Sequence, residues 1–96
     1  NAKPKPPVHS RLQKQADNTY LLSWEGQKDT PENEAVKYLI YRFDHAKLPD
    51  FNSPENVLSL TGESKVILPA KQQSATLAIV AVNRNNRCSE PVLLHW

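Results

Sequence analysis

The chain has 96 residues, 39% of them apolar and 23% charged, with a formal net charge of +2. That length gives one domain, close to the size at which a single core suffices without metal or disulfide staples. No apolar run approaches the ~18 residues that a membrane-spanning helix needs. The basic residues are scattered among carboxylates rather than gathered in the stripe that binds nucleic acid. Eight prolines against two glycines point to strand edges and fixed corners, not long helices.

Asn1-Ala2 reads as the remnant of a cleaved tag. Lys3-Pro4-Lys5-Pro6-Pro7 lacks a backbone donor at three of five positions and is expected to run as a stiff, polyproline-like linker. Residues 1–7 are thus read as tag remnant and linker, and 8–96 as the folded domain. After the Asp17-Asn18 turn signal, Tyr20, Leu22 and Trp24 alternate on one face of a half-buried strand. A polar loop with Gly26 and Pro31 leads to AVKYLIYRF, 35–43, a second strand rich in β-branched and aromatic residues.

The stretch 44–56 is irregular and closes on Ser53-Pro54-Glu55-Asn56, a single helical turn with serine as cap and proline at the first position. VLSLTG and KVILP are short strands ended by Gly62 and Pro69. Residues 76–83 and 90–95 form the last two strands, joined across Asn83-Arg84-Asn85-Asn86-Arg87. Asparagine tolerates the left-handed backbone that a glycine-free turn requires, and Arg84 and Arg87 keep the tip solvated. About seven short strands and no useful helix define an antiparallel, immunoglobulin-like β-sandwich.

The order Val8 after Pro6-Pro7, then YLLSW, YLIYR, LP, AVN and SEP resembles a fibronectin type III domain over about residues 6–95. The resemblance implies that Trp24 is the buried strand-B tryptophan and that Tyr38-x-Ile40-x-Arg42 is the strand-C pattern. It also makes Leu77, Ile79 and Ala81 the inward residues of strand F. One departure is clear. The family's tyrosine at the start of strand F, which ties down the preceding corner, is Ala75 here, so either that corner is held another way or the chain belongs to a divergent bacterial branch. More narrowly, KYLIYRF, SPENVLSLTG and AVNRNNRCSEP are similar to domains appended C-terminally to secreted bacterial glycoside-hydrolase-like proteins of the Bacteroides type. That resemblance implies an extracytoplasmic location and an accessory role beside an upstream catalytic domain.

No chemistry of its own is legible. Asp29, Glu32, Glu34, Asp44 and Asp50 are loop acids of the ordinary solvated kind, and no nucleophile elbow, phosphate-binding glycine loop or metal-spaced His/Cys set occurs. His9, His45 and His95 lie in three segments. Cys88 is the single cysteine, so no intrachain disulfide forms, and it reads as a small half-buried hydrophobe. The chain is read as non-enzymatic by itself, with no cofactor.

Two surfaces remain as candidates. If Tyr38 and Ile40 point inward, Leu39, Tyr41 and Phe43 point outward; if Leu77, Ile79 and Ala81 point inward, Ala78, Val80 and Val82 point outward. Strands C and F are neighbours in this fold, so these six form an apolar face where a wet sheet would carry polar residues. It is expected to dock on the upstream domain unless the 44–56 segment or long side chains cover it. A carbohydrate-binding alternative rests on Tyr41, Phe51 and Trp96 as exposed aromatics. A stand-alone adhesion domain is a third reading, and self-association a further one.

Overall fold

The computed structural model describes residues 2–45, 48–70 and 73–96. Asn1 of the expected tag remnant and positions 46 and 47 of the irregular stretch lie outside them. Seven strands run in chain order: β1 Val8–Lys14, β2 Tyr20–Glu25, β3 Ala35–Asp44, β4 Val57–Thr61, β5 Lys65–Leu68, β6 Ala75–Asn83 and β7 Val92–His95. They form two antiparallel sheets, one of order β1-β2-β5 and one of order β4-β3-β6-β7. A single 3-10 turn, Pro54–Asn56, precedes β4 where proline and a following acid predicted it. Its Ser53 hydroxyl donates to Glu55 Oε1 rather than capping the backbone.

The period-2 pattern of β2, β3 and β6 decides which faces meet. Leu22, Trp24, Tyr38, Ile40, Leu77, Ile79 and Ala81 all turn into the space between the sheets and are buried there. From β7, Val92 and Leu94 pack inward, whereas Leu93 points out and is 54% exposed. Trp24 meets Tyr38 edge-to-face at 5.2 Å between ring centroids, the arrangement that the ring quadrupole favours.

The start of β6 is held by Trp96. Ala75, fully buried, exchanges two backbone hydrogen bonds with Trp96, its N–H donating to Trp96 O and its carbonyl accepting from Trp96 N–H. The Trp96 indole is only 6% exposed and packs edge-to-face on Tyr20 at 5.8 Å. The backbone of Trp96 and its ring on Tyr20 thus hold the start of β6, where this chain has Ala75.

Candidate interdomain contact surface

The arm that precedes β1 is not a free linker. Pro4 and Pro7 are buried against the domain. Along the arm, Asn83 Nδ2 donates to Ala2 O at 3.2 Å, and the Lys3 ammonium pairs with Glu90 at 2.9 Å. Lys5 Nζ donates to Lys28 O at 3.1 Å, and Gln27 Nε2 to Pro6 O at 2.7 Å. Residues 3–7, expected as a stiff linker, are instead seated against the domain. Proline lacks a ladder donor but carries an apolar ring, and here neighbouring loops serve the carbonyls instead.

Those loops, β2–β3 and β6–β7, form one pole of the sandwich. Asn83 organises it. Only 1% exposed at the end of β6, its Oδ1 accepts the backbone N–H groups of Asn85 and Arg87, both at 3.0 Å, while its Nδ2 reaches the arm. Asn86 takes the left-handed conformation at φ 61°, and the exposed Arg84 and Arg87 stand at the tip as expected. Ser89, also buried, closes the hairpin: Ala81 N–H donates to its hydroxyl, which donates to Glu90 O. The buried, arm-holding roles of Asn83, Gln27 and the two arm prolines were not marked out by the sequence pattern. The one available signal was an asparagine at an inward strand position, where an apolar residue would otherwise stand.

The six residues expected on the outward face of β3 and β6 do converge. Register places Leu39 opposite Val80 and Tyr41 opposite Ala78, with Lys37 opposite Val82. The six are not bare, however: the cover by the 44–56 segment that the sequence leaves open is in place. Tyr41, Phe43, Ala78, Val80 and Val82 are 7%, 2%, 0%, 5% and 3% exposed and form a second apolar cluster, with Leu39 and Phe51 half-buried against it. Phe51, from the irregular stretch, packs edge-to-face on both Tyr41 and Phe43 at 5.0 Å. Half-buried Lys37 stands beside Val82 with its ammonium on Asn86 Oδ1 at 3.2 Å. Among the described residues exposed apolar surface persists at the margins, at Leu60 (59%) opposite Leu39, at Val57 opposite Tyr41 and at Leu93 opposite Ala78.

The aromatic candidates fare similarly. Tyr41 and Phe43 stack at 5.8 Å with rings 10° from parallel, but beneath Phe51. Trp96 is part of the sandwich core. No two of Tyr41, Phe51 and Trp96 make an exposed platform. Burial raises the Tyr41 phenol above its ordinary pKa, with the nearby Cys88 thiol adding to the effect. Cys88 itself is exposed, in an isolated bridge opposite Val82, and not half-buried as its type predicts. His45 and His95 are brought ring to ring at 6.0 Å, while His9 lies 3.4 Å from Glu25 at the surface. Among the described residues no group of three or more His, Cys, Asp or Glu side chains is placed to hold a metal ion.

Two sheets of this order and register make an all-β, immunoglobulin-like sandwich of the fibronectin type III kind. Solved structures share it. The FN3tt variant superimposes with a TM-score of 0.72 at 20% identity, over 99% of this chain and 96% of that one. The glycoside hydrolase domain of Endo-D from Streptococcus pneumoniae R6 contains a match with TM-score 0.72 at 20% identity, covering this whole chain and 15% of that one. The spore cortex lytic enzyme SleM of Clostridium perfringens contains another, with TM-score 0.67 at 12% identity, covering 96% of this chain and 27% of that one. No family model and no curated protein matches the sequence.

Proposed function

We propose that this domain is a non-catalytic accessory module of a larger extracytoplasmic, glycoside-hydrolase-like protein, and that it sets the orientation of the domain joined ahead of its arm. The observation that carries this reading is the pinned arm. Four hydrogen bonds or ion pairs and two buried prolines hold residues 2–7 across the β2–β3 and β6–β7 loops. A flexible tether would let two domains tumble apart, whereas a chain fixed up to Ala2 makes its neighbour's position a property of this pole. Support for the parent's class comes from the sequence resemblance and from Endo-D and SleM, in which the same fold is one part of a longer enzyme chain.

Fusing a lanthanide-binding reporter domain directly ahead of Ala2 tests the reading. Coupled orientation gives residual dipolar couplings in this domain close in magnitude to those of the reporter. Collapse of the couplings in this domain to a small fraction of the reporter's would overturn the orienting role.

A further inference from the structure

We propose that His45 and His95 form a two-ligand site for a borderline divalent transition-metal ion such as zinc, on the outward face of the four-stranded sheet. The two residues belong to different segments of the sequence, yet their rings meet edge-to-face with centroids 6.0 Å apart. Both side chains are exposed. Ala75 is what brings them together. On one side of β6 it pairs with Asp44, and on the other it exchanges two backbone hydrogen bonds with Trp96. His45 follows the first of these partners and His95 precedes the second, so both backbones are fixed at one fully buried alanine. Alternation sets the face. His45 lies two positions beyond Phe43 and His95 two beyond Leu93, both outward, with Thr76 opposite Phe43 on one side and His95 on the other.

The donor set selects the ion. Imidazole nitrogen suits zinc, nickel and copper, whereas calcium and magnesium call for oxygen ligands. The carboxylate beside His45, that of Asp44, is held by Arg42 at 2.8 Å. Two imidazoles bonded to one tetrahedral ion at ~2.0–2.1 Å place their centroids roughly 5 Å apart. The pair thus stands about 1 Å from a chelating arrangement, a gap that rotation of two exposed side chains closes. Among the described residues no third His, Cys, Asp or Glu joins them, so water completes the coordination. The site is therefore one of modest affinity and not a catalytic zinc centre, which takes three protein ligands. An ion held there ties the end of β3 to the end of β7 across β6. It stabilises the fold by mass action, because the unfolded chain does not hold the two rings together.

Zinc chloride titrated into the chain carrying Cys88→Ser, which removes the exposed thiol as a competing ligand, tests the proposal by NMR. The ring-proton resonances of His45 and His95 should shift together and saturate at one zinc per chain. His9, whose neighbour is Glu25, should respond only at higher concentration and serves as the internal reference. His45→Ala and His95→Ala should each weaken zinc binding at least about tenfold, because losing one ring abolishes the chelate. Magnesium chloride at the same concentrations should leave both rings unmoved. Excess zinc should also raise the thermal midpoint, and each single variant should lose most of that rise. Both variants delete exposed rings, and their metal-free midpoints check that they fold. Undiminished zinc affinity in either variant, separate titration curves for the two rings, or saturation of His9 on the same curve would each overturn the proposal.

Discussion

Replacing Asn83 with alanine tests the account of the pole most directly. The side chain is 1% exposed and makes three hydrogen bonds, two accepted from the Asn85 and Arg87 N–H groups and one donated to Ala2 O. A hydrogen bond of this kind contributes about 1 kcal/mol net. Asn85 and Arg87 are exposed, so water can take over their N–H groups, which keeps the cost near that net value and away from the full desolvation penalty. The expected loss is about 2–3 kcal/mol, or roughly 10–20 °C in the thermal midpoint of a domain this size. Urea unfolding followed by tryptophan fluorescence measures it, with an unchanged m-value showing that stability alone has moved. The share belonging to the arm is separable. In a chain shortened to begin at Lys3, which lacks the Ala2 carbonyl, Asn83→Ala should cost about 1 kcal/mol less, a coupling that a double-mutant cycle resolves. A total cost below about 0.5 kcal/mol would refute the organising role of Asn83. A full cost with no coupling would leave the hairpin argument standing and sink the argument that the arm is pinned there.

Further outcomes follow from the core. Trp96→Ala should cost about 3–5 kcal/mol, as deletion of a buried aromatic does, and a near-neutral result in thermal scans would show that the start of β6 is not held by Trp96. A Cβ on Gly26 would sit 2.5 Å from Tyr38 Oη, so Gly26→Ala should destabilise by roughly 1–3 kcal/mol through overpacking; adding Tyr38→Phe, which deletes that oxygen, should recover most of the loss. Burial raises the phenols of Tyr38 and Tyr41, opposed at Tyr38 by the Trp24 indole and reinforced there by Glu34. A folded-state pKa above the unfolded value means that this stabilisation is complete below about pH 10 and is lost as pH rises through the folded-state pKa. Absorbance at 295 nm should therefore show late ionisation accompanied by alkaline unfolding, and both features should shrink in Tyr41→Phe.

The sandwich was legible because alternation is a local code. Tyr20, Leu22 and Trp24, or Leu77, Ile79 and Ala81, declare their face without reference to anything distant. The 3-10 turn was legible for the same reason, since proline and an acid at fixed offsets act within four residues, although the serine ahead of them does not cap it. The role of Asn83 was hidden because two of its partners are backbone groups of a turn not yet formed, and the third, Ala2, is 81 residues away. Polyproline composition, in turn, describes how a segment behaves when nothing is beside it. Pro4 and Pro7 are buried because loops from two other parts of the chain happen to flank them.

The apolar run Ala75–Val82 makes the same point about long-range cover, with a consequence for function. Alternation correctly assigns Ala78, Val80 and Val82 to the outward face, and an outward apolar face in a sheet ordinarily signals a partner. The partner here is the chain itself: Phe51 returns over Tyr41 and Phe43, and Lys37 stands beside Val82. With that face already occupied, a neighbouring domain has little apolar area to gain there. If the proposed orienting role holds, the surface left to fix its position is the pole where the arm lies, built from polar loops and proline rings. An interface of that composition holds orientation through hydrogen bonds at defined places, and it resembles the modest, polar contacts usual between domains of one chain. On the proposed orienting role, rigidity depends on the arm remaining seated, and Gln27 and Glu90 are the positions whose loss would free a neighbour at little cost to the fold.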